Sequence, residues 1–267
     1  MEVVLKIVVF VKQTADTEAK VRPEVGGQKL ADLGKQIINP YDEHAIEEAL
    51  KLKQSLSASE VVLMTFGPSQ AKERLLKGLA MGADRGVLID NIGLEALDSS
   101  MTAKVLAKAV KEEEDVKLIL AGKQAIDDDN MHVAQMCAEE LSWPHVNVVS
   151  KIEVQAGGLK VQREAEASQL EVYELSLPAV VGAHKSLNNP RYASLPGIMK
   201  AKKKPFDLKT VSDLGLSAEE LKSSNLVEVK AYTQPAEKAQ GKLFQDKPLE
   251  EMVSEVASLL RDEAKVL

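Results

Sequence analysis

This 267-residue chain has one cysteine, no excess of basic residues and no apolar run long enough to cross a bilayer. The lone Cys137 cannot form an internal disulfide, which favours a reducing compartment. The net charge of −7 argues against general binding of nucleic acid, because no basic surplus is available to neutralise phosphates. The apolar opening is interrupted by Lys6 and lacks a signal-peptide cleavage pattern. We therefore expect a soluble intracellular protein that neither inserts into membranes nor binds nucleic acid.

Two nucleotide-binding motifs and the common catalytic arrangements are also missing. GxxxxGK[ST] does not occur, and GxGxxG is absent from the first strand turn, which disfavours a P-loop kinase and a dinucleotide-type Rossmann dehydrogenase. The four histidines show no paired spacing of the kind that metal sites use. No Ser-His-Asp or Cys-His arrangement stands out. The sequence therefore indicates neither a metal site nor a catalytic centre.

Apolar periodicity in the first half alternates between strand and helix. Strands are predicted at residues 3–11, 60–66, 86–89 and 118–120, and helices at residues 42–53, 102–110 and 128–141, with a further helix from Pro68 to Met81. Alternation of this kind predicts an α/β fold, with a mainly parallel sheet and helices on both of its faces.

The second half changes to a β-rich pattern and ends in a helical arm. Short strands are predicted at residues 148–154, 159–163, 170–175 and 178–182, with Gly157-Gly158 as a hairpin turn. Residues 185–205 resemble a loop. We expect one domain at residues 1–231 and an arm at 232–267, in which apolar residues recur at helical spacing from Leu249 to Leu260. That apolar face either folds back on its own domain or docks on a partner chain.

The stretch KLILAGKQAIDDD (residues 117–129) predicts a ligand site. A buried strand ends at Gly122, which permits a tight turn, and three aspartates then open the next helix. Ligands of open α/β sheets bind at the carboxyl ends of strands, and the first turn of a helix favours phosphate. Carboxylates repel phosphate, so the aspartates either cap the helix around a backbone-held phosphate, form an acidic first turn and nothing more, or coordinate Mg²⁺ in a nucleotide-using enzyme.

Four segments carry a resemblance to a known family. They are NPYDE (39–43), LAMGADRG (79–86), GKQAIDDD (122–129) and LNNPRYASLPGIMKAKKK (187–204). In this order they resemble the β subunit of electron transfer flavoproteins, and the resemblance runs nearly from end to end. It implies an adenine nucleotide α-hydrolase-like fold.

The resemblance implies a heterodimeric electron carrier without substrate chemistry of its own. A larger α subunit would hold most of one FAD, while this chain would complete the flavin site and bury a structural AMP. Electrons would pass singly from acyl-CoA dehydrogenases, as in fatty acid oxidation, to a membrane-bound quinone oxidoreductase. The location would be the cytoplasm of a bacterium or the mitochondrial matrix of a eukaryote.

The same resemblance assigns the cofactor-binding residues. AMP would lie against strand ends and the adjoining loop, with Tyr41 also near the flavin edge: Phe10, Asn39, Pro40, Tyr41, Asp42, Phe66, Gly122, Lys123, Gln124, Ala125, Ile126, Asp127, Asp128, Asp129, Asn130, Met131, His132 and Val133. The family usually continues the acidic triplet with Gln-Thr-Gly, whereas this chain has His132, Val133 and Ala134. Fewer side-chain contacts to phosphate are therefore expected, and a protonated His132 could supply one.

The resemblance also assigns a recognition loop for dehydrogenases, with Leu195 as the anchor that enters the partner. The expected partner-binding residues are Tyr192, Leu195, Pro196, Ile198, Met199, Lys200, Lys203 and Glu164. The lysines would steer an acidic partner, and Glu164 would pair with an arginine of the α subunit. The helix of the arm would pack on that subunit.

Some relatives hold a second FAD in place of AMP and oxidise NADH by electron bifurcation. They carry a glycine in the middle of the acidic triplet, where this chain has Asp128. A carboxylate there would crowd the larger ligand, so the sequence favours AMP and keeps the bifurcating subunit as its alternative.

Overall fold

The computed structural model describes residues 5–31, 33–236 and 240–267 and divides the chain into two compact units, Met1–Tyr232 and Thr233–Leu267. Unit 1 contains the strands β1 Lys6–Phe10, β2 Gln13–Ala15, β3 Gln36–Ile38, β4 Glu60–Gly67, β5 Arg85–Asp90, β6 Val116–Gly122, β7 His145–Gln155, β8 Gly158–Glu164, β9 Leu170–Ser176, β10 Ala179–Ala183 and β11 Phe206–Thr210. Its helices are α1 Pro40–Ser55, α2 Lys72–Met81, α3 Ser99–Lys111, α4 Val133–Leu141, α5 Leu195–Ala201 and α6 Ala218–Ser223. Unit 2 contains α7 Leu249–Ser258, which continues as a π-helical turn at Leu259–Glu263.

Nine strands form one sheet in the order β11-β5-β4-β1-β6-β10-β7-β8-β9. Pairing is parallel from β11 to β7, and β8 and β9 add an antiparallel extension to β7. The central strands are continuous apolar runs because both of their faces are covered. The predicted mainly parallel α/β fold is confirmed, and the β-rich segment extends the same sheet.

Helices cover both faces of the sheet, which gives two cores. On one face α1 and α2 pack through residues such as Ile46 and Leu75, and α5 lies on α2. On the other face α3 and α4 pack through Val105 and Cys137. The start of α1 lies beside the carboxyl end of β6, where Gly122 donates to Asp42, and α4 follows β6 in the chain.

Three predicted elements need correction, and several were missed. The helix predicted at 128–141 begins at Val133, because Asp129 and Met131 adopt left-handed backbone with φ of 51° and 56°, which an α-helix cannot include. Residues 185–205 are not all loop, since they contain α5. The strand predicted from 148 starts at His145. Sequence patterns did not predict β2, β3, β11 and α6, which have at most six residues each. Residues 3 and 4 of the first predicted strand lie outside the described residues.

The described part of unit 2 contains the predicted terminal helix, α7. α7 has no buried residue, and Leu249, Val253 and Leu260 are exposed. Phe244 lies with Val256 and Leu259 around a shallow pocket within this unit. The apolar residues predicted for the arm therefore lie on a helix, as expected.

Candidate functional site

The end of β6 touches the start of α1, and Gly122 makes this approach possible. A Cβ on Gly122 would lie 2.4 Å from Asp42 Oδ1 and 2.6 Å from Tyr41 Cβ. Gly122 does not have a positive φ, so the tight turn that the sequence predicted does not require a glycine here. The glycine is required because a side chain at this position would collide with α1. Its N–H donates to Asp42 Oδ1 over 2.9 Å. The strand end and the helix start thus form one rigid joint.

Asn39 and Asp42 shape the chain around this joint. Both side chains are buried, at 1% and 5% exposure. Asp42 accepts hydrogen bonds from the N–H of Lys12 and the amide of Asn39 in addition to that of Gly122. Asn39 in turn donates to Gln124 O and accepts from the N–H of Ile126. These two side chains are occupied in fixing the path of residues 122–126.

The carboxyl of Asp42 is unusually costly to ionise. Burial raises its pKa to about 7 from an ordinary 3.8, although the three N–H donors of Lys12, Asn39 and Gly122 oppose that rise. All three donors face the carboxyl oxygens, so the ionised form is the one that satisfies them. The helix predicted from residue 42 begins at Pro40, so that Asn39 is its N-cap residue and Asp42 lies in its first turn.

The acidic loop, defined as residues 123–132, does not open a helix, and its carboxylates do not cap one. Lys12 Nζ lies 2.8 Å from Asp127 Oδ1 and 3.2 Å from Asp128 Oδ2. Asp129 accepts from the side-chain amide of Gln124. α4 starts after His132, which makes no side-chain cap hydrogen bond. The loop therefore balances much of its own negative charge and leaves the N–H groups of the first turn of α4 free to bind an anion.

The remaining predicted cofactor residues surround this centre at different depths. Phe10 is the last residue of β1 and is buried, and Phe66 is the last but one of β4 and is half-buried against the same core. Asn130 and His132 are exposed. The half-buried residues of the set are Pro40, Tyr41, Lys123, Gln124, Ala125, Ile126, Met131 and Val133. The structure thus brings the predicted set together along one edge of the sheet, while contact with a nucleotide stays a prediction.

Tyr41 is flanked by two basic side chains. Lys123 Nζ lies 5.2 Å from the centre of its ring, and the ring of His184 lies 6.5 Å away at an interplanar angle of 29°. His184 follows the last residue of β10, whose carbonyl accepts from the N–H of Lys123. Sequence reasoning missed His184, because only the pairing of β6 with β10 brings it to Tyr41.

A cavity of about 350 Å³ lies between the start of α4 and the strands β7 to β9. Met131, at the end of the acidic loop, lines it together with Gln135 and Arg163. Gln135 Oε1 and Arg163 Nε are buried without a hydrogen bond, although Arg163 lies 3.4 Å from Glu171 as an ion pair. No sequence motif indicated this cavity. It adjoins the acidic loop and is lined by one acceptor without a hydrogen bond, Gln135 Oε1, and by Arg163 Nε, whose neighbour is the carboxylate of Glu171 at 3.4 Å.

The residues predicted for partner binding form an exposed apolar face. Tyr192 is 98% exposed and Leu195 73% exposed, and Ile198 and Met199 are also open to solvent. Leu195 begins α5, so it lies on a helix and not in the predicted loop. Ser194 caps that helix by accepting from the N–H of Gly197. The spacing from 195 to 198 and 199 places the three side chains on one side of the helix, here called the α5 face.

Buried polar contacts hold the chain that leads to the α5 face. Arg191 donates to both carboxylate oxygens of Glu47, through Nε at 2.7 Å and a terminal nitrogen at 2.9 Å. Asn188 donates to His44 O and to Glu48 on the same helix. Hydrogen bonds from Arg191 lower the pKa of Glu47 although its burial acts in the opposite direction. Leu195 is therefore presented from a fixed segment.

The charged members of the predicted partner set are only partly free. Lys200 and Lys203 are exposed, as expected for steering residues, and so is Pro196. Lys204, which follows them, is half-buried and donates to the carbonyls of Leu79 and Ala83 at the end of α2. Glu164 accepts a hydrogen bond from Ser186 within this chain.

The described residues include neither a candidate membrane span nor a candidate metal site. None of the helices in the described ranges combines the length and the apolar character that crossing a bilayer requires. Among the same residues, His, Cys, Asp and Glu side chains do not gather in threes in a way that could hold a metal ion.

Comparison with known proteins agrees with this geometry. A family described as "Electron transfer flavoprotein domain" matches residues 28–214. A protein of Bradyrhizobium diazoefficiens, "Electron transfer flavoprotein subunit beta", is 44% identical over 265 residues, which cover 98% of this chain and 100% of that protein. Proteins with the same name are 40% identical in Bacillus subtilis, with 98% and 100% covered, and 44% identical in Homo sapiens, with 79% and 84% covered. The chain therefore belongs to the electron transfer flavoprotein family, within the group called subunit beta.

Proposed function

We propose that this chain is the β subunit of a heterodimeric electron transfer flavoprotein that holds one AMP. It pairs with an α subunit, completes the FAD site of that subunit, and catalyses no substrate chemistry of its own. The observation that carries the AMP assignment is the ion pair of Lys12 with Asp127 and Asp128. That pair relieves the repulsion between the aspartates and a phosphate, which would otherwise argue against nucleotide binding at this loop.

The residues around the joint fit AMP in kind. The uncapped start of α4 supplies N–H groups for one phosphate, and its dipole favours the negative charge. Phe66, half-buried near the end of β4 and next to the buried Phe10 of β1, offers apolar surface for an adenine ring. Tyr41, half-buried at the same edge, offers an aromatic face for the edge of the flavin. AMP supplies no redox chemistry, whereas FAD supplies the electron-accepting group.

The α5 face supports docking of an acyl-CoA dehydrogenase or a similar flavoenzyme. Leu195 and Met199 are large, exposed apolar side chains on a segment held by the Arg191–Glu47 pair, which is the arrangement expected of a preformed anchor. Lys200 and Lys203 lie beside it and would steer an acidic partner. Electrons received there pass on towards a membrane-bound quinone oxidoreductase, and fatty acid oxidation is the process served.

Ser186, His184 and Glu164 form a cluster whose order does not fit a hydrolase. Ser186 donates to Glu164 and is contacted by His184, so the serine stands between the histidine and the acid. In a catalytic triad the histidine stands in the middle and takes the serine proton. This supports a carrier over an enzyme.

One observation favours a second candidate, the β subunit of an NADH-oxidising bifurcating flavoprotein with FAD in place of AMP. The 350 Å³ cavity adjoins the acidic loop at Met131 and would give room to a ligand larger than AMP. The test that separates the two is the nucleotide content of the complex purified with its α subunit. The proposed function expects flavin reduction by an acyl-CoA dehydrogenase with its substrate, and none by NADH.

A further inference from the structure

His184 is largely buried beside Tyr41. Its ring is in contact with two side chains, those of Tyr41 and Ser186. Its side chain is 12% exposed. One face of the imidazole lies against the ring of Tyr41, and Nδ1 lies 2.7 Å from Ser186 Oγ. The proposed function does not use this histidine, and the family resemblance assigned it no role.

The hydrogen-bond order fixes which ring nitrogen of His184 carries the proton. The single proton of the Ser186 hydroxyl is used in the hydrogen bond to Glu164. The short contact between Nδ1 and that hydroxyl therefore requires a proton on Nδ1, because both atoms cannot be acceptors. The N–H of Ser186 lies 3.4 Å from Nδ1, too far to outweigh this contact. The other nitrogen, Nε2, is left as the place where the ring can take up a proton.

The charges around His184 are mixed, so its charge state is sensitive to a new neighbour. Burial lowers its pKa from the ordinary 6.5, and Lys123, Lys185 and His44 lower it further, whereas Glu164 raises it. Glu164 Oε1 lies 3.5 Å from Nδ1 and would stabilise the imidazolium. At neutral pH the ring is therefore neutral, and an added negative charge nearby would favour the protonated form.

We propose that His184 takes up a proton from solvent when the flavin is reduced, and that it thereby sets part of the pH dependence of the reduction potential. This rests on the proposed function, which places the flavin edge at Tyr41. One electron delivered to the flavin would add one negative charge near this cluster, and a single proton taken from solvent onto Nε2 would balance that charge. Ser186 and Glu164 hold the ring in place and share its positive charge.

Proton binding to His184 and reduction of the flavin are coupled thermodynamically, and the coupling acts equally in both directions. If protonation of His184 favours reduction, reduction must raise the affinity of His184 for its proton by the same factor. The potential then falls as the pH rises through the titration range of His184, in addition to any fall caused by the flavin itself. A group that only packs against Tyr41 would leave the pH profile unchanged.

The test is a potentiometric titration of the FAD-loaded heterodimer at several values between about pH 5 and 8. His184→Phe keeps a ring beside Tyr41, and His184→Asn keeps an N–H for Ser186, but neither titrates. His145→Asn is the control, because His145 is an exposed histidine at the start of β7. All four proteins are first checked for one FAD per heterodimer.

The potential of the wild type and of the His145 variant should fall more steeply with pH than that of both His184 variants. Parallel curves for all four proteins, with FAD bound, would overturn the role of His184 and leave the proposed function intact. A loss of the extra slope in only one His184 variant would assign the effect to stacking or to the hydrogen bond and would also overturn proton uptake. A wild-type heterodimer without FAD would overturn the proposed function and this inference together.

Discussion

Lys12 lies 2.8 Å from Asp127, although 115 residues of sequence separate the two. Asp128 shares the same ammonium at 3.2 Å. Lys12 follows β1 and the aspartates follow β6, and these strands are neighbours in the sheet. The parallel sheet thus supplies, from a different strand end, the positive charge that an acidic loop needs if it is to hold a phosphate.

Replacing Lys12 by Met should weaken AMP binding by roughly tenfold, or about 1.4 kcal/mol. The change leaves two carboxylates beside the phosphate without their cation, and the methionine keeps most of the aliphatic contact. The measurement is AMP retained by the heterodimer after extensive dialysis. Lys35→Met is the control, because it removes the exposed Lys35–Asp16 pair elsewhere on the surface. Equal retention in all three proteins would show that the ion pair does not serve the nucleotide.

Leu195→Ala should slow electron transfer from the cognate dehydrogenase by at least about tenfold in kcat/KM, because anchor residues dominate interface energy. FAD and AMP contents should not change, since Leu195 is exposed and lies on α5, away from the acidic loop. Ile92→Ala is a matched control, as Ile92 is also an exposed aliphatic side chain. A Leu195 variant as fast as the Ile92 variant would remove the α5 face from the docking account.

Arg191→Met should reduce both stability and electron transfer, because it leaves the buried carboxylate of Glu47 without its guanidinium. Arg191 is itself half exposed, so solvent screens the pair and we expect a loss of about 1–2 kcal/mol in the free energy of unfolding. Urea unfolding measures it. The double variant Arg191→Met with Glu47→Leu should regain much of the stability, since no unpaired charge remains. If the double variant recovers stability but not electron transfer, the Arg191–Glu47 pair is needed to position the α5 face and not only to stabilise the fold.

The raised pKa of the Asp42 carboxyl should be detectable in the pH dependence of the free energy of unfolding. Burial raises the pKa of its carboxyl to about 7, so between its ordinary 3.8 and 7 the folded chain holds more protons than the unfolded chain. The contribution of Asp42 to the free energy of unfolding therefore falls as the pH rises through that window, by at most about 4 kcal/mol. The difference in stability between wild type and Asp42→Asn should decrease with rising pH.

The stability contribution of Asp98 should depend on pH in the opposite direction to that of Asp42. Its carboxyl caps α3 and accepts from the N–H groups of Met101, Leu226 and Val227, and these outweigh burial and lower its pKa. The difference between wild type and Asp98→Asn should decrease as the pH falls through that lowered pKa, because protonation removes the cap. Curves of the same sign for both variants would contradict the environments described for the two aspartates.

Local sequence patterns correctly predicted the strands and helices whose apolar residues are buried in the two cores. The run Leu118–Leu120 is apolar because β6 is covered on both faces, and the spacing of Ala45, Ile46, Ala49 and Leu50 follows the buried side of α1. Leu195 is exposed, as the anchor role implied by the resemblance requires. The predicted start of α4 was wrong because it depends on backbone conformation. Asp129 and Met131 adopt left-handed backbone, so the helix begins after them although the composition suits a helix.

The relations within the site could not be predicted, because they join distant strand ends. Nothing near Lys12 indicates the aspartates, and nothing near His184 indicates Tyr41. Gly122 was noticed for the wrong physical reason, as it is required by the approach of Asp42 and not by its own φ. The resemblance to a family pointed to residues 122–129, while only the structure shows how Asn39 and Asp42 fix the path of residues 122–126.

The nucleotide content of the purified heterodimer tests the central claim most directly. The complex is co-expressed with its α subunit and denatured, and the released nucleotides are quantified by chromatography. The account predicts one FAD and one AMP per heterodimer. Two FAD and no AMP would contradict it and would assign the chain to the bifurcating class, with the cavity beside Met131 as part of the second flavin site.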